Sequence, residues 1–196
     1  MTQNIFLTTL IMFSINFQLD SVSKNETAID KNKKVESYKV TQSKLVYREI
    51  LDETLKILVP DDFVLMDIEM LNLKYPKANR PTLVFTDTNG EVNIAFNYTQ
   101  NKITSADIPK MKNSILNQFK QVSSINLINS ELRNINNKEF FIMKFYSQAI
   151  DTKVYNLMFG TELNGRLLIG TFNCTIDKVQ VWQSISEDII NSIKIL

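Results

Sequence analysis

The side chains able to do chemistry are few, and they crowd one stretch. In KYPKANRP, residues 74 to 81, Lys74, Tyr75, Asn79 and Arg80 fall within one short loop. Pro76 and Pro81 bias the residues before them, Tyr75 and Arg80, to extended backbone, so the loop is expected to be stiff. A stiff exposed loop bearing cations, a phenol and an amide suits contact with a protein or an anion. These four are the candidate binding residues. In the plainer alternative Arg80 closes onto Asp87 or onto a backbone carbonyl, and the loop only leads the chain into a strand.

Most catalytic chemistry is excluded. The chain has no histidine, which removes the usual base near neutral pH and the commonest zinc and copper ligand. Its one cysteine, Cys174, lies in the apolar run LLIGTFNC, so no disulfide within the chain is possible. A thiol there is expected to be buried, because a reactive one needs an accessible, electropositive setting. Asp61, Asp62 and Glu131 are carboxylates with no partner that spacing identifies. A carboxylate-only hydrolase would need two acids facing one pocket. From Asp87 to Glu91 the glycine falls fourth rather than sixth and a strand follows, so a hairpin turn is expected and not a calcium loop. There are only four glycines, and neither a P-loop nor a dinucleotide-binding fingerprint. The expectation is a non-enzymatic chain with no catalytic residue, no metal site and no cofactor. A net charge of +1 supplies no field to hold nucleic acid.

Two segments, FFIMKFYS and YNLMFG, concentrate aromatic residues and methionines. A sheet core accounts for them. The functional reading makes Phe141, Met143, Phe145, Tyr155 and Phe159 the lining of an open groove for an apolar peptide or lipid, since methionine-rich surfaces adapt to varied partners. A closed core would sink that reading.

The elements that position these residues follow from periodicity. Asn4 to Leu19 is mostly apolar and uncharged, short of the roughly 20 residues that span a bilayer. With small residues at Ser21 and Ser23 it reads as a signal peptide over residues 1–23, or as a retained N-terminal anchor and then the only membrane contact. No cysteine follows the apolar run, so lipidation is not expected. Residues 24–43 are a polar flexible linker whose Lys31, Lys33 and Lys34 are interleaved with Asp30 and Glu36. A single domain is expected over 44–196. Leu45 to Pro60 is expected to open as a short helix and run into a strand. Asp67 to Leu73 reads as one or two helical turns closed by Pro76. Asn89-Gly90 marks a type I′ hairpin. Beyond it Val92, Ile94, Phe96 and Tyr98 face the core, while Asn93, Ala95 and Asn97 face a polar or lightly covered side. Residues 104–122 read as an amphipathic helix with Ile108, Met111, Ile115, Phe119 and Val122 inward and a Thr104–Asp107 capping box. A polar edge strand (NLINSELRNI), a strand apolar on both faces (KEFFIMKFYSQA) and a hairpin about Asn164-Gly165 follow. The chain closes in a helix with Trp182, Ile185, Ile189 and Ile193 as its buried stripe.

Antiparallel runs with two long helices predict an α+β fold, an α/β/α sandwich whose central antiparallel sheet has about six strands flanked by helices. Three segments, LVPDDFVLMD, KYPKANRPTLVFTDTNGEVNIAFNYT and VWQSISEDIINSIKIL, taken in this element order, resemble the PsbP-like superfamily, and in particular its exported bacterial chains. That superfamily takes in the photosystem II extrinsic subunit P, the Ran-binding Mog protein and DcrB-like proteins. The resemblance spans Leu51 to Leu196. It implies the fold and a protein-binding, scaffolding or chaperoning role, and it carries over no functional residue. The expected function is that of an exported accessory protein of the bacterial cell envelope, periplasmic or secreted, acting through a protein partner. A carrier for an apolar peptide or lipid and a carboxylate-only envelope hydrolase are the alternatives.

Overall fold

The structure, a computed structural model, describes residues 44–75, 80–149 and 152–196. The expected signal peptide and linker lie outside the described residues. In chain order the elements are β1 (Leu45–Ile50), β2 (Leu55–Pro60), β3 (Val64–Leu65), α1 (Ile68–Lys74), β4 (Leu83–Thr86), β5 (Val92–Lys102), α2 (Ile108–Phe119), β6 (Ile125–Ile135), β7 (Lys138–Gln148), β8 (Lys153–Leu163), β9 (Arg166–Thr175), α3 (Val179–Asn191) and β10 (Lys194–Ile195).

The class is α+β, as expected. The main antiparallel sheet has seven strands rather than about six, in the order β3-β4-β5-β9-β8-β7-β6, and a second sheet of three, β1-β2-β10, packs beside it. The second sheet exists because residues 45–50 form a strand and not the expected short helix. Every residue of β1 pairs with β2, from Leu45 opposite Pro60 to Ile50 opposite Leu55. Leu55, Ile57 and Val59 of β2 are fully buried, a period-2 pattern that fixes β2 as a strand and offers its edge to the segment before it.

The central strands of the main sheet, β7, β8 and β9, bury both faces. On one face Phe140, Ile142, Tyr155, Leu157, Phe159 and Phe172 pack against β2, against Ile189 and Ile190 near the end of α3, and against Ile193 just beyond it. On the other, Phe141, Met143, Phe145 and Met158 pack under Ile108, Ile115 and Phe119 of α2. Each such side chain contributes about 1.5–3 kcal/mol by leaving water. The double coverage explains why KEFFIMKFYSQ reads as apolar throughout, and β6 beside it is the edge strand, as expected. The expected helix over 104–122 is an α-helix only from Ile108. Asp107 accepts hydrogen bonds from Thr104 N at 2.9 Å and Thr104 Oγ1 at 2.7 Å and closes the turn before it, and Val122 lies beyond the helix end.

The turns differ in instructive ways. Asn164-Gly165 has φ of 49° and 75° at its two central residues, the positive pair that a type I′ hairpin requires. Asn136-Asn137, with φ of 49° and 67°, turns β6 into β7 the same way without a glycine. At Asn89-Gly90 only Gly90 has positive φ, so the expected type I′ turn is absent. Asp87 organises that loop instead, its Oδ1 accepting from Glu91 N at 2.7 Å and Val92 N at 3.1 Å. The expected lightly covered side of β5 is buried too: α1 lies over it, with Leu71, Met66 and Tyr75 packed against Val84 and Ala95.

Candidate functional site

Helix α1 brings the loop residues to the sheet. Asp67 caps it, its Oδ1 accepting from Met70 N at 2.7 Å, which satisfies one of the unpaired amides of the first turn. The helix buries its last turn. Lys74 and Tyr75 are 4% and 7% exposed, which corrects the expectation that they form an exposed cluster. Lys74 Nζ donates to the Gly90 carbonyl. Burial pulls its pKa down from 10.5 to about 8, against the raising influence of Asp87 and Glu91. Burial also raises the Tyr75 phenol. Arg80 is exposed, but it donates to Asn72 Oδ1 of α1 rather than to Asp87 or a carbonyl. Asn79 lies outside the described residues. Of the four candidates, then, two are pinned inside, one braces α1 from outside, and α1 itself is the element they serve.

What α1 and β3 do expose is apolar. Val64 and Leu65 of β3 and Ile68 and Leu73 of α1 are each more than half exposed. β3 is an edge strand, paired on one side only with β4. Beside it opens a cleft of about 660 Å³, with an apolar floor that includes Phe63, Leu83 and Phe85. It is also lined by the end of β1, with Arg48 and Glu49, and by the β1–β2 turn, with Asp52 and Glu53. Leu51, Asp52 and Glu53 in that turn all have positive φ, between 54° and 61°, an uncommon run for residues other than glycine. Glu49 is paired with Lys56 at 2.8 Å, which leaves Asp52 and Glu53 as the acidic lip. Sequence reasoning missed this cleft because its walls are far apart in the chain and meet only through the unexpected β1 strand.

Among the described residues the groove expected of a carrier is absent. Phe141, Met143, Phe145, Tyr155 and Phe159 are all fully buried, and they divide between the two faces of the sheet. Cys174 is buried, as expected, and its thiol is pushed up to about 12 chiefly by that burial. Glu131 does have partners. It pairs with Arg133, which also binds Glu187 at 2.8 Å, and Glu187 takes Lys144 as well. Hydrogen bonds from Arg133 lower the Glu131 pKa; at Glu187 burial opposes ionisation, yet the Lys144 and Arg133 hydrogen bonds outweigh it and the pKa is again lowered. Carboxylates held in this way resist protonation and are poorly suited to act as general acids. Among the described residues no three His, Cys, Asp or Glu side chains group to hold a metal.

No family model matches the chain, and no curated protein matches it. Solved structures do. Cyanobacterial PsbP (CyanoP) from Synechocystis sp. PCC 6803 superposes with a TM-score of 0.54 at 16% identity over 81% of this chain and 96% of its own. LpqN, involved in cell envelope biogenesis of Mycobacterium tuberculosis, gives 0.51 at 11% identity over 72% of this chain and 82% of its own. The Saccharomyces cerevisiae Ran-binding protein Mog1p gives 0.50 at 7% identity over 78% of this chain and 96% of its own. Identities this low speak to architecture alone. They agree with the seven-stranded sheet and its flanking helices: the chain has the PsbP-like fold.

Proposed function

We propose that this chain is an exported, non-enzymatic accessory protein of the bacterial cell envelope that binds a protein partner at the β3 edge. The observation that carries the reading is the cleft of about 660 Å³ beside an edge strand whose Val64 and Leu65 face water. An edge strand presents unpaired backbone groups that an extended segment can complete, with its alternate side chains dropping into pockets. Here those pockets are floored by Phe63, Leu83 and Phe85. The acidic lip at Asp52 and Glu53 favours a partner segment that is apolar in the middle and basic at one end. Export rests on the apolar, uncharged run from Asn4 to Leu19. LpqN, of similar fold, is described as involved in cell envelope biogenesis, and Mog1p as binding Ran. The first supports the envelope setting, and the second supports a role in protein contacts.

The test is affinity capture from envelope extract with the intact exported chain and a Val64→Asp/Leu65→Asp variant. Both positions are exposed, so the variant keeps its fold, as circular dichroism will verify. Capture by the wild type that the variant loses, and that an Asp52→Lys/Glu53→Lys variant weakens, is the expected result. Equal capture by all three proteins would overturn the reading.

A further inference from the structure

The main sheet also ends at β6, far from the cleft, and among the described residues no strand pairs with the outer side of β6. Proteins blunt such edges with lysine, proline or a bulge. β6 has one bulge, early, with Ile128 as the extra residue between Leu127 and Asn129. From Asn129 to Ile135 the strand has no lysine, no proline and no further irregularity. Leu127, Ile128 and Leu132 are exposed along it. The direction of its backbone groups follows from the hairpin. Asn136-Asn137 is a two-residue turn closed by Ile135 opposite Lys138. The closing pair of such a turn exchanges both hydrogen bonds, and bonded and unbonded pairs then alternate. Ile135, Arg133 and Glu131 therefore turn their amides and carbonyls to β7, while Asn134, Leu132 and Ser130 turn theirs outward. Ser130 N, in the outward set, donates to Asn129 Oδ1 at 2.8 Å, a local bond that a carbonyl of a partner strand would replace. The side chains alternate as well. Leu132 stands opposite Phe141 on the α2 face, whereas Glu131 and Arg133 lie on the α3 face, where Arg133 binds Glu187.

We propose that β6 pairs antiparallel with β6 of a second copy of this chain about a two-fold axis through Leu132, joining the two seven-stranded sheets into one. Across a two-fold axis residue i faces j and j faces i. Leu132 then faces Leu132 of the second copy, Glu131 faces Arg133, and Ser130 faces Asn134. The outward amides and carbonyls of Ser130, Leu132 and Asn134 all meet counterparts from the same outward set. Glu131 and Arg133 fall at the unbonded positions, where facing side chains approach most closely. Each copy already joins its own Glu131 to its own Arg133, so the charges of the two copies alternate around the axis. Lys144 and Glu187 complete a neutral group within each copy, which keeps the copies from repelling one another. The register is specific. Moving the axis by one residue sets Glu131 against Glu131 or Arg133 against Arg133 and turns the wrong backbone groups to the partner. Moving it to Ser130 draws the bulge at Ile128 into the ladder. A strand whose charges complement its own reversed copy selects that copy over a foreign chain. The contact is independent of the partner site at β3, at the other end of the sheet.

The test is sedimentation velocity on the intact exported chain at concentrations up to about 0.1 mM. The wild type is expected to pass reversibly from monomer to dimer. Leu132→Lys sets two ammonium groups against each other on the axis, at a position already exposed, and is expected to fold and to stay monomeric. Glu131→Arg alone and Arg133→Glu alone place like charges opposite and are each expected to weaken the dimer about tenfold or more. An equimolar mixture of these two variants is expected to restore it, because in the mixed pair every residue 131 faces a residue 133 of opposite charge. If circular dichroism shows either charge variant unfolded, the Leu132→Lys result decides. A wild type that stays monomeric, a dimer that Leu132→Lys leaves intact, or a mixture of folded variants no tighter than each alone would overturn the pairing.

Discussion

Lys74 is where burial and charge conflict most sharply. Its folded pKa of about 8 lies below the ordinary 10.5, so the folded chain holds fewer protons than the unfolded one between those two values. Stability contributed by this residue is therefore lowest below pH 8 and is regained as the pH rises toward 10.5. Lys74→Met should raise stability at pH 7 by about 1–3 kcal/mol and flatten the rise between pH 7 and 9.5, as read by urea denaturation. The substitution leaves no orphaned acceptor, because Gly90 O still receives Asn93 Nδ2. An unchanged slope would mean that Lys74 reaches water. Tyr155, pushed up to about 12 mainly by burial, loses stability only above pH 10, outside that window. Sequence could flag Lys74 as unusual, since it precedes a proline-bracketed loop, but it could not foresee the burial. The carbonyl that receives the amine lies 16 positions along the chain and is brought there by the packing of α1 on β5.

Among the elements, the central strands are held by close glycine–phenylalanine pairs. Gly170 stands opposite both Phe96 and Phe159, whose rings meet edge to face at 6.0 Å. A Cβ at Gly170 would strike the Phe159 ring, and one at Gly160 the Phe141 ring. These rings cover glycines that would otherwise weaken their strands. Gly170→Ala should cost about 2–3 kcal/mol through overpacking, seen as a lower denaturation midpoint with an unchanged m-value. A midpoint within error of the wild type would show that the rings move aside freely. The long elements were legible because their periods are set by burial: α2, β7, the arm of β5 and the Asn164-Gly165 hairpin all follow their apolar spacing. The failures have local causes. In β1 both faces are largely exposed, so no period distinguishes strand from helix. Gly90 is required by contact with Lys74 and Met70 as much as by its turn, and Asn136-Asn137 makes a hairpin without the glycine that usually announces one.

At the scale of the whole molecule, the sheet is filled on both faces at its centre and has an edge at each end, β3 and β6, with the cleft beside β3. That arrangement supports the proposed contact role over a carrier, whose groove would have to pass through residues that are solid core here. The candidate site was half legible. The sequence drew attention to the segment from Lys74 to Arg80, yet the exposed apolar surface lies just before it, on β3 and α1, where short apolar runs look like ordinary core. Export is testable separately. Expressed in a bacterium, the full chain should yield a mature form beginning near residue 24 and released by osmotic shock, as mass spectrometry of the recovered protein will show; an uncleaved chain in the cytoplasm would remove the envelope from the account. The most direct measurement of the central claim is photo-crosslinking in living cells from a reactive residue placed at Leu65, with Ile176, exposed on a 3-10 turn between β9 and α3, as the control position. The account predicts a discrete protein adduct from position 65 that is missing from position 176 and lost when Asp52 and Glu53 are reversed in charge. Adducts from both positions alike, or from neither, would contradict it.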